Sequence, residues 1–141
     1  MKIEINTKKA PAAIGPYSQA VVIGNLIFCA GNIGVDAKTN VLTDQGIKEQ
    51  TKLALINIGY ILKEAGSGLE NVLKTTVYLK SMDDFAAMNG VYGSFFKKPY
   101  PARATVQVAG LPKDALVEIE CIAYIKDKKG DCCGGECGCC G

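Results

Sequence analysis

Any catalysis by this chain has to be built without an imidazole. Its 141 residues contain no histidine, which removes Ser-His-Asp and Cys-His nucleophile pairs, imidazole general bases and every histidine-containing metal site. Carboxylates, tyrosines, thiols, lysines and a single arginine remain. That arginine, Arg103, stands in YPARATVQV (100–108), and the other fifteen of the 16 basic residues are lysines. A guanidinium grips a carboxylate through two parallel hydrogen bonds, which an ammonium cannot copy. In RATVQVA the residues Arg103, Thr105 and Gln107 alternate with Ala104, Val106 and Val108. In LVEIECIAYIK, Glu118 and Glu120 alternate with Val117, Ile119 and Cys121. If the two runs form a hairpin across GLPKDA, a register that sets Arg103 opposite Glu118 aligns their polar faces and puts Val106 and Ile119 together on the core side. Such a carboxylate would either hold Arg103 in a structural pair or act as a base on water, and spacing leaves both readings open.

A second group of reactive side chains lies near the C-terminus. KDKKGDCCGGECGCCG carries five of the seven cysteines: Cys132, Cys133, Cys137, Cys139 and Cys140. With glycines between them, these thiols suit a soft metal, Zn²⁺, Cu(I) or an iron–sulfur cluster. The paired C-x2-C spacing of a zinc ribbon is missing. A redox-active dithiol, a partner-docking tail and a passive extension are the competing readings. Cys29 and Cys121 fall in apolar runs and are expected to be small buried hydrophobes.

The elements that must position these groups are legible as patterns. Ile3–Ile5 reads as a short strand, and SQAVVI and LIFCA as a hairpin closed by Gly24-Asn25. Ile47, Ala54, Leu55, Ile58, Ile61, Leu62 and Ala65 recur at helical spacing, predicting a helix from about Asp44 to Ala65 with Gly66 as its stop. VLKTTVYLK is a strand. Ser81 then caps a second helix bearing Phe85, Met88, Tyr92 and Phe95 on one face, and KKPYP ends it. Two strands follow. The order β-β-β-α-β-α-β-β implies an α+β domain with both helices on one face of a sheet. The domain is expected to cover residues 1–126, with 127–141 as a flexible Cys/Gly-rich tail.

At 48% apolar and 21% charged, the chain has the makings of a single globular domain rather than a disordered one. A net charge of +2 with dispersed lysines argues against a nucleic-acid or anionic-membrane partner. No run is long enough for a membrane span, and MKIEINTKKAP lacks the apolar stretch of a secretory signal. The expectation is a soluble, cytoplasmic protein.

The stretch PARATVQVAGLPKDALVEIECIA resembles the signature of the reactive-intermediate deaminase (RidA/YjgF) family. APAAIGPYSQAVVIGNLIFCAGNIG and VLKTTVYLKSMDDFAAMNGVY fall in that family's order, so the resemblance covers roughly residues 3–126. IGPYSQ, and Pro-Ala-Arg followed fifteen residues later by Glu-Ile, are its most specific elements. The resemblance implies a chorismate-mutase-like mixed sheet assembled as a homotrimer, with three ligand clefts between subunits. It implies a hydrolase that turns 2-imino acids such as 2-iminobutanoate and 2-iminopropanoate, tautomers of enamines released by pyridoxal-phosphate enzymes, into 2-oxo acids and ammonia. No metal or organic cofactor is implied for that reaction.

On this resemblance Arg103 clamps the substrate carboxylate, Glu118 handles the attacking water and Tyr17 is a cleft tyrosine. Asn89, Gly31 and Thr105 line the substrate site. Three positions depart from the family's pattern. Asn32 stands where many relatives have glutamine, Thr105 where some carry cysteine, and the KKPYP link is shorter than in many members. Two alternatives sit beside the enzyme. One is a non-catalytic sensor of 2-oxo acids or related carboxylates on the same trimer. The other is an endoribonuclease or translation inhibitor, which the weak net charge disfavours.

Overall fold

The computed structural model of the chain describes residues 1–127. Six strands form one sheet: β1 (Ile3–Ile5), β2 (Ala20–Ile23), β3 (Leu26–Asn32), β4 (Val72–Leu79), β5 (Ala102–Gln107) and β6 (Val117–Tyr124). Two helices, α1 (Ile47–Glu64) and α2 (Phe85–Phe95), complete the α+β architecture. The strand order is β1-β2-β3-β6-β4-β5. Only the β4–β5 pair is parallel. It is joined through α2, as a parallel pair needs a crossover rather than a tight turn.

Local signals are met where they are strong. Gly24 takes φ 57° in the two-residue turn that joins Ile23 to its register partner Leu26. Helix α1 starts three residues later than the periodicity suggests, because Gly46 at φ 89° interrupts the approach. Gly66, at φ 82°, follows its end. The Ser81 side chain accepts from the Asp83 amide at 3.2 Å, opening a short 3₁₀ turn that leads into α2.

Strand β6 alternates buried and half-buried along its whole length. Val117, Ile119, Cys121 and Ala123 face the helices and join Ala54, Leu55, Ile58, Ile61 and Leu62 of α1 in one core. Cys29 and Cys121 are both in it, as expected of small buried hydrophobes. Among the described residues no helix covers the opposite face of the sheet. Phe28 and Val106 are 41% and 43% exposed there.

The expected hairpin between the last two strands is not formed. β4 lies between them, pairing in parallel with β5 and antiparallel with β6. Arg103 is the register partner of Thr75, whereas Glu118 is that of Tyr78. Register partners share a face. Thr75 is buried under the helices while Tyr78 is on the open side, so Arg103 and Glu118 point to opposite faces. Val106 and Ile119 are separated in the same way, with Val106 opposite Tyr78 and Ile119 opposite Val77. The alternation of each strand was real, but a period of two does not name a strand's neighbour.

Candidate functional site

The sequence-derived residues gather in two clusters rather than one. The first is on the helix side of the sheet edge, where Arg103 leans from β5 onto α2. Its Nη1 donates to Asn89 Oδ1 at 2.7 Å. Its Cζ lies 4.7 Å from the Tyr92 ring centroid and 5.6 Å from that of Phe85. The rings of Phe85 and Tyr92 thus hold the cation by their negative faces. Tyr92 is itself fixed, because its hydroxyl and Thr75 Oγ1 share a hydrogen bond of 2.7 Å. Burial pushes the Tyr92 phenol upward, and the Thr75 bond and the Arg103 charge only partly oppose that. Thr105 Oγ1, two residues along β5, is buried with no hydrogen-bond partner among the described residues.

Among the described residues no carboxylate stands within salt-bridge distance of Arg103. Among the described residues the one salt bridge joins Lys80 to Asp114 at 2.8 Å. Within one chain, a structural pair of Arg103 and Glu118 is therefore not formed. The guanidinium is oriented by an amide and two aromatic rings, with donors left to offer.

The second cluster surrounds Glu118 on the other side. A bulge in β3 between Cys29 and Asn32 brings the Gly31 backbone against the Glu118 side chain. A Cβ at Gly31 would collide with Glu118 Oε1 and come within 2.9 Å of Cδ. Glycine here leaves room for the Glu118 carboxylate, which any added Cβ would have to displace. Tyr17, Gly31, Asn32, Lys113 and Glu118 line a cavity of about 540 Å³ with apolar walls that include Ile14 and Ile33. Tyr17 Oη accepts from the Ile14 amide at 3.2 Å, which leaves its own proton free to donate. Burial, and secondarily the charge of Glu120, raises the Glu118 carboxyl above the ordinary range. Glu120 in turn accepts from the Tyr78 hydroxyl at 2.9 Å. The Asn32 amide donates to the Ala30 carbonyl at 2.9 Å, so this residue braces the bulge.

Two strand spacings and three residues of register separate Arg103 from Glu118, which places their Cα atoms roughly 14 Å apart. Asn89 and Thr105 stand with Arg103, while Gly31 and Tyr17 stand with Glu118. No small substrate touches both sets within one chain.

Several contributors escaped the sequence reading. Phe85 and Tyr92 lie on the stripe of α2 expected to be core, yet they also cradle Arg103. Gln19 is buried and ties down the loop that carries Tyr17. Its Oε1 accepts from the Thr7 amide at 2.7 Å and its Nε2 donates to the Pro11 carbonyl at 2.8 Å. A glutamine at the entrance to an apolar strand was the available signal. Lys113 reaches the cavity rim from a left-handed turn at φ 55°, with Nζ donating to the Asn40 carbonyl at 2.7 Å.

The expected metal ligands Cys132, Cys133, Cys137, Cys139 and Cys140 lie outside the described residues, as does nearly all of the 127–141 tail. Among the described residues no group of three or more His, Cys, Asp or Glu side chains is placed to hold a metal. None of the described helices is long and apolar enough to cross a membrane.

A family model described as Endoribonuclease L-PSP matches residues 7–125. A RutC family protein of Pyrococcus abyssi is 54% identical over 120 residues, which are 85% of this chain and 94% of that protein. The 2-iminobutanoate/2-iminopropanoate deaminase of Capra hircus is 52% identical over 119 residues, 84% of this chain and 87% of the relative. The crystal structure of RidA from the Antarctic bacterium Psychrobacter superposes with a TM-score of 0.85 at 47% identity, covering 87% of this chain and 99% of that one.

Proposed function

We propose, from the premise that this chain belongs to the Endoribonuclease L-PSP family, the RidA/YjgF proteins, that it hydrolyses small 2-imino acids to 2-oxo acids and ammonia in clefts between the subunits of a homotrimer. The observation that carries this reading is the division of the site. An arginine with no carboxylate partner among the described residues and a half-buried glutamate whose carboxyl is shifted upward sit on opposite faces of one sheet. Each cluster becomes a site only when a second copy brings the other cluster to it. The open sheet face, with Phe28 and Val106 exposed, supports an association that would cover it.

In such a cleft Arg103 binds the substrate carboxylate and holds the imine carbon in reach. Asn89 and the two rings keep the guanidinium in one orientation. The imine carbon is electrophilic by itself, so no covalent nucleophile is needed. Glu118 takes a proton from water, and the hydroxide adds to the carbon. The C=N π pair moves to nitrogen, which takes the proton back from Glu118 to give the amino alcohol. The new hydroxyl then passes its proton through Glu118 to that nitrogen, the C–N bond breaks, and ammonia and the 2-oxo acid leave. The Tyr17 hydroxyl, already accepting a backbone N–H, donates toward the cleft. Thr105 Oγ1 offers a further partner. None of these steps calls on a metal or organic cofactor.

The test is release of 2-oxobutanoate from 2-iminobutanoate generated in place by a threonine dehydratase. We expect acceleration by the parent chain and none by Arg103→Ala or Glu118→Ala. Mixing and refolding the two inactive variants should restore about a quarter of the parental sites, because a cleft then takes Arg103 from one subunit and Glu118 from another. Well-folded trimers that bind 2-oxobutanoate without turnover would move the assignment to a carboxylate sensor. Salt-sensitive RNA cleavage without imine turnover would move it to the endoribonuclease reading.

A further inference from the structure

Cys29 on β3 and Cys121 on β6 are direct register partners in the antiparallel pair. Opposed residues on such a ladder share a face, with Cα atoms ~4.5–5.5 Å apart, within the ~4.4–6.8 Å that a disulfide spans. Both are free thiols, 6% and 4% exposed, on the helix side of the sheet. The neighbouring Cys29 thiol, ahead of burial, pushes the Cys121 thiol above the usual range. The pair also stands between the two clusters of the site. Asn32 Nδ2 is 3.8 Å from Cys29 Sγ on one side. On the other, Cys121 is the register partner of Thr75, whose hydroxyl fixes Tyr92 beneath Arg103.

We propose that Cys29 and Cys121 are a redox pair, closed by a hydroperoxide into an intrachain disulfide that joins β3 to β6. In the first step one sulfur attacks the peroxide, the O–O bond breaks, and a sulfenic acid and one water form when the oxidant is hydrogen peroxide. The second thiol then attacks the sulfenic sulfur, the S–S bond forms and a second water leaves. The two thiols together lose two protons and two electrons, and the peroxide takes up both. A small uncharged oxidant is required because the pair is inside the core.

The experiment treats the full chain with hydrogen peroxide, blocks remaining thiols after unfolding, and digests with trypsin without reduction before mass spectrometry. The expected product joins residues 10–38 to residues 114–126, two hydrogens lighter than the separate peptides, and dithiothreitol separates it. The melting temperature should rise by roughly 5 °C or more on oxidation, and not in Cys29→Ser or Cys121→Ser. Recovery of both peptides as blocked thiols while the tail cysteines are oxidised would overturn the proposal. Linkage of either cysteine to the tail, or sulfinic acid at either position, would overturn it equally.

Discussion

Arg103 is held by Asn89 and by the faces of Tyr92 and Phe85, a seat shaped for a planar cation. Arg103→Lys keeps the charge and loses both the bidentate grip and the stacking. We expect kcat/KM for 2-iminobutanoate to fall by about 10²-fold or more, with an unchanged melting temperature and oligomeric state. At the second cluster, Gly31→Ala should abolish turnover by driving Glu118 out of position, because the added Cβ collides with its carboxylate. The chain should still fold, since Gly31 is exposed. As the proposed base, Glu118 would work only when ionised, so the rate should fall as pH drops through its raised pKa. Glu120 contributes to that elevation. Glu120→Gln should therefore shift the acid limb of the kcat/KM profile to lower pH, and an unmoved limb would count against Glu118 as the base.

At the scale of elements, the loop before β2 and the face of α1 do different work. Gln19 makes its hydrogen bonds from a buried position, so Gln19→Ala strands the Thr7 amide and frees the loop bearing Tyr17. A loss of about 1–3 kcal/mol in chemical denaturation is expected, along with weaker substrate saturation. Leu55 is fully buried where α1 meets the sheet. Leu55→Ala should cost about 2–5 kcal/mol while leaving the activity of the remaining folded protein intact. These elements were visible in the sequence because their signals are local. The 3.6-residue spacing of α1, the Gly24-Asn25 turn and the Ser81 cap each depend on a few neighbouring residues. The β3 bulge was not visible, because it is defined by pairing with β6 rather than by any residue of its own. The dual role of Tyr92 was hidden for a similar reason, since a helix-face aromatic reads as core whether or not a cation from another strand sits on it.

For the whole molecule, the decisive quantity is the roughly 14 Å that separates Arg103 from Glu118 across the β4 strand. In the proposed trimer a second copy would remove that separation without any change of fold. Val106→Asp on the open face should yield monomers in sedimentation and lose turnover, although Val106 lies on the face of β5 opposite Arg103. Trimers that stay active with this substitution would place the assembly surface elsewhere.

By itself the sequence determined the inventory and the local geometry: no histidine, one arginine, two amphipathic helices, strands with one apolar and one polar side, and the motifs shared with the family. Those properties follow from residue type and from chain periodicity over a few residues. Only the tertiary structure decided that β4 separates β5 from β6, that Arg103 and Glu118 face opposite ways, and that Cys29 meets Cys121. Such pairings are set by contacts between residues far apart in the chain, where the burial of whole faces selects one strand order among several that satisfy the same alternation.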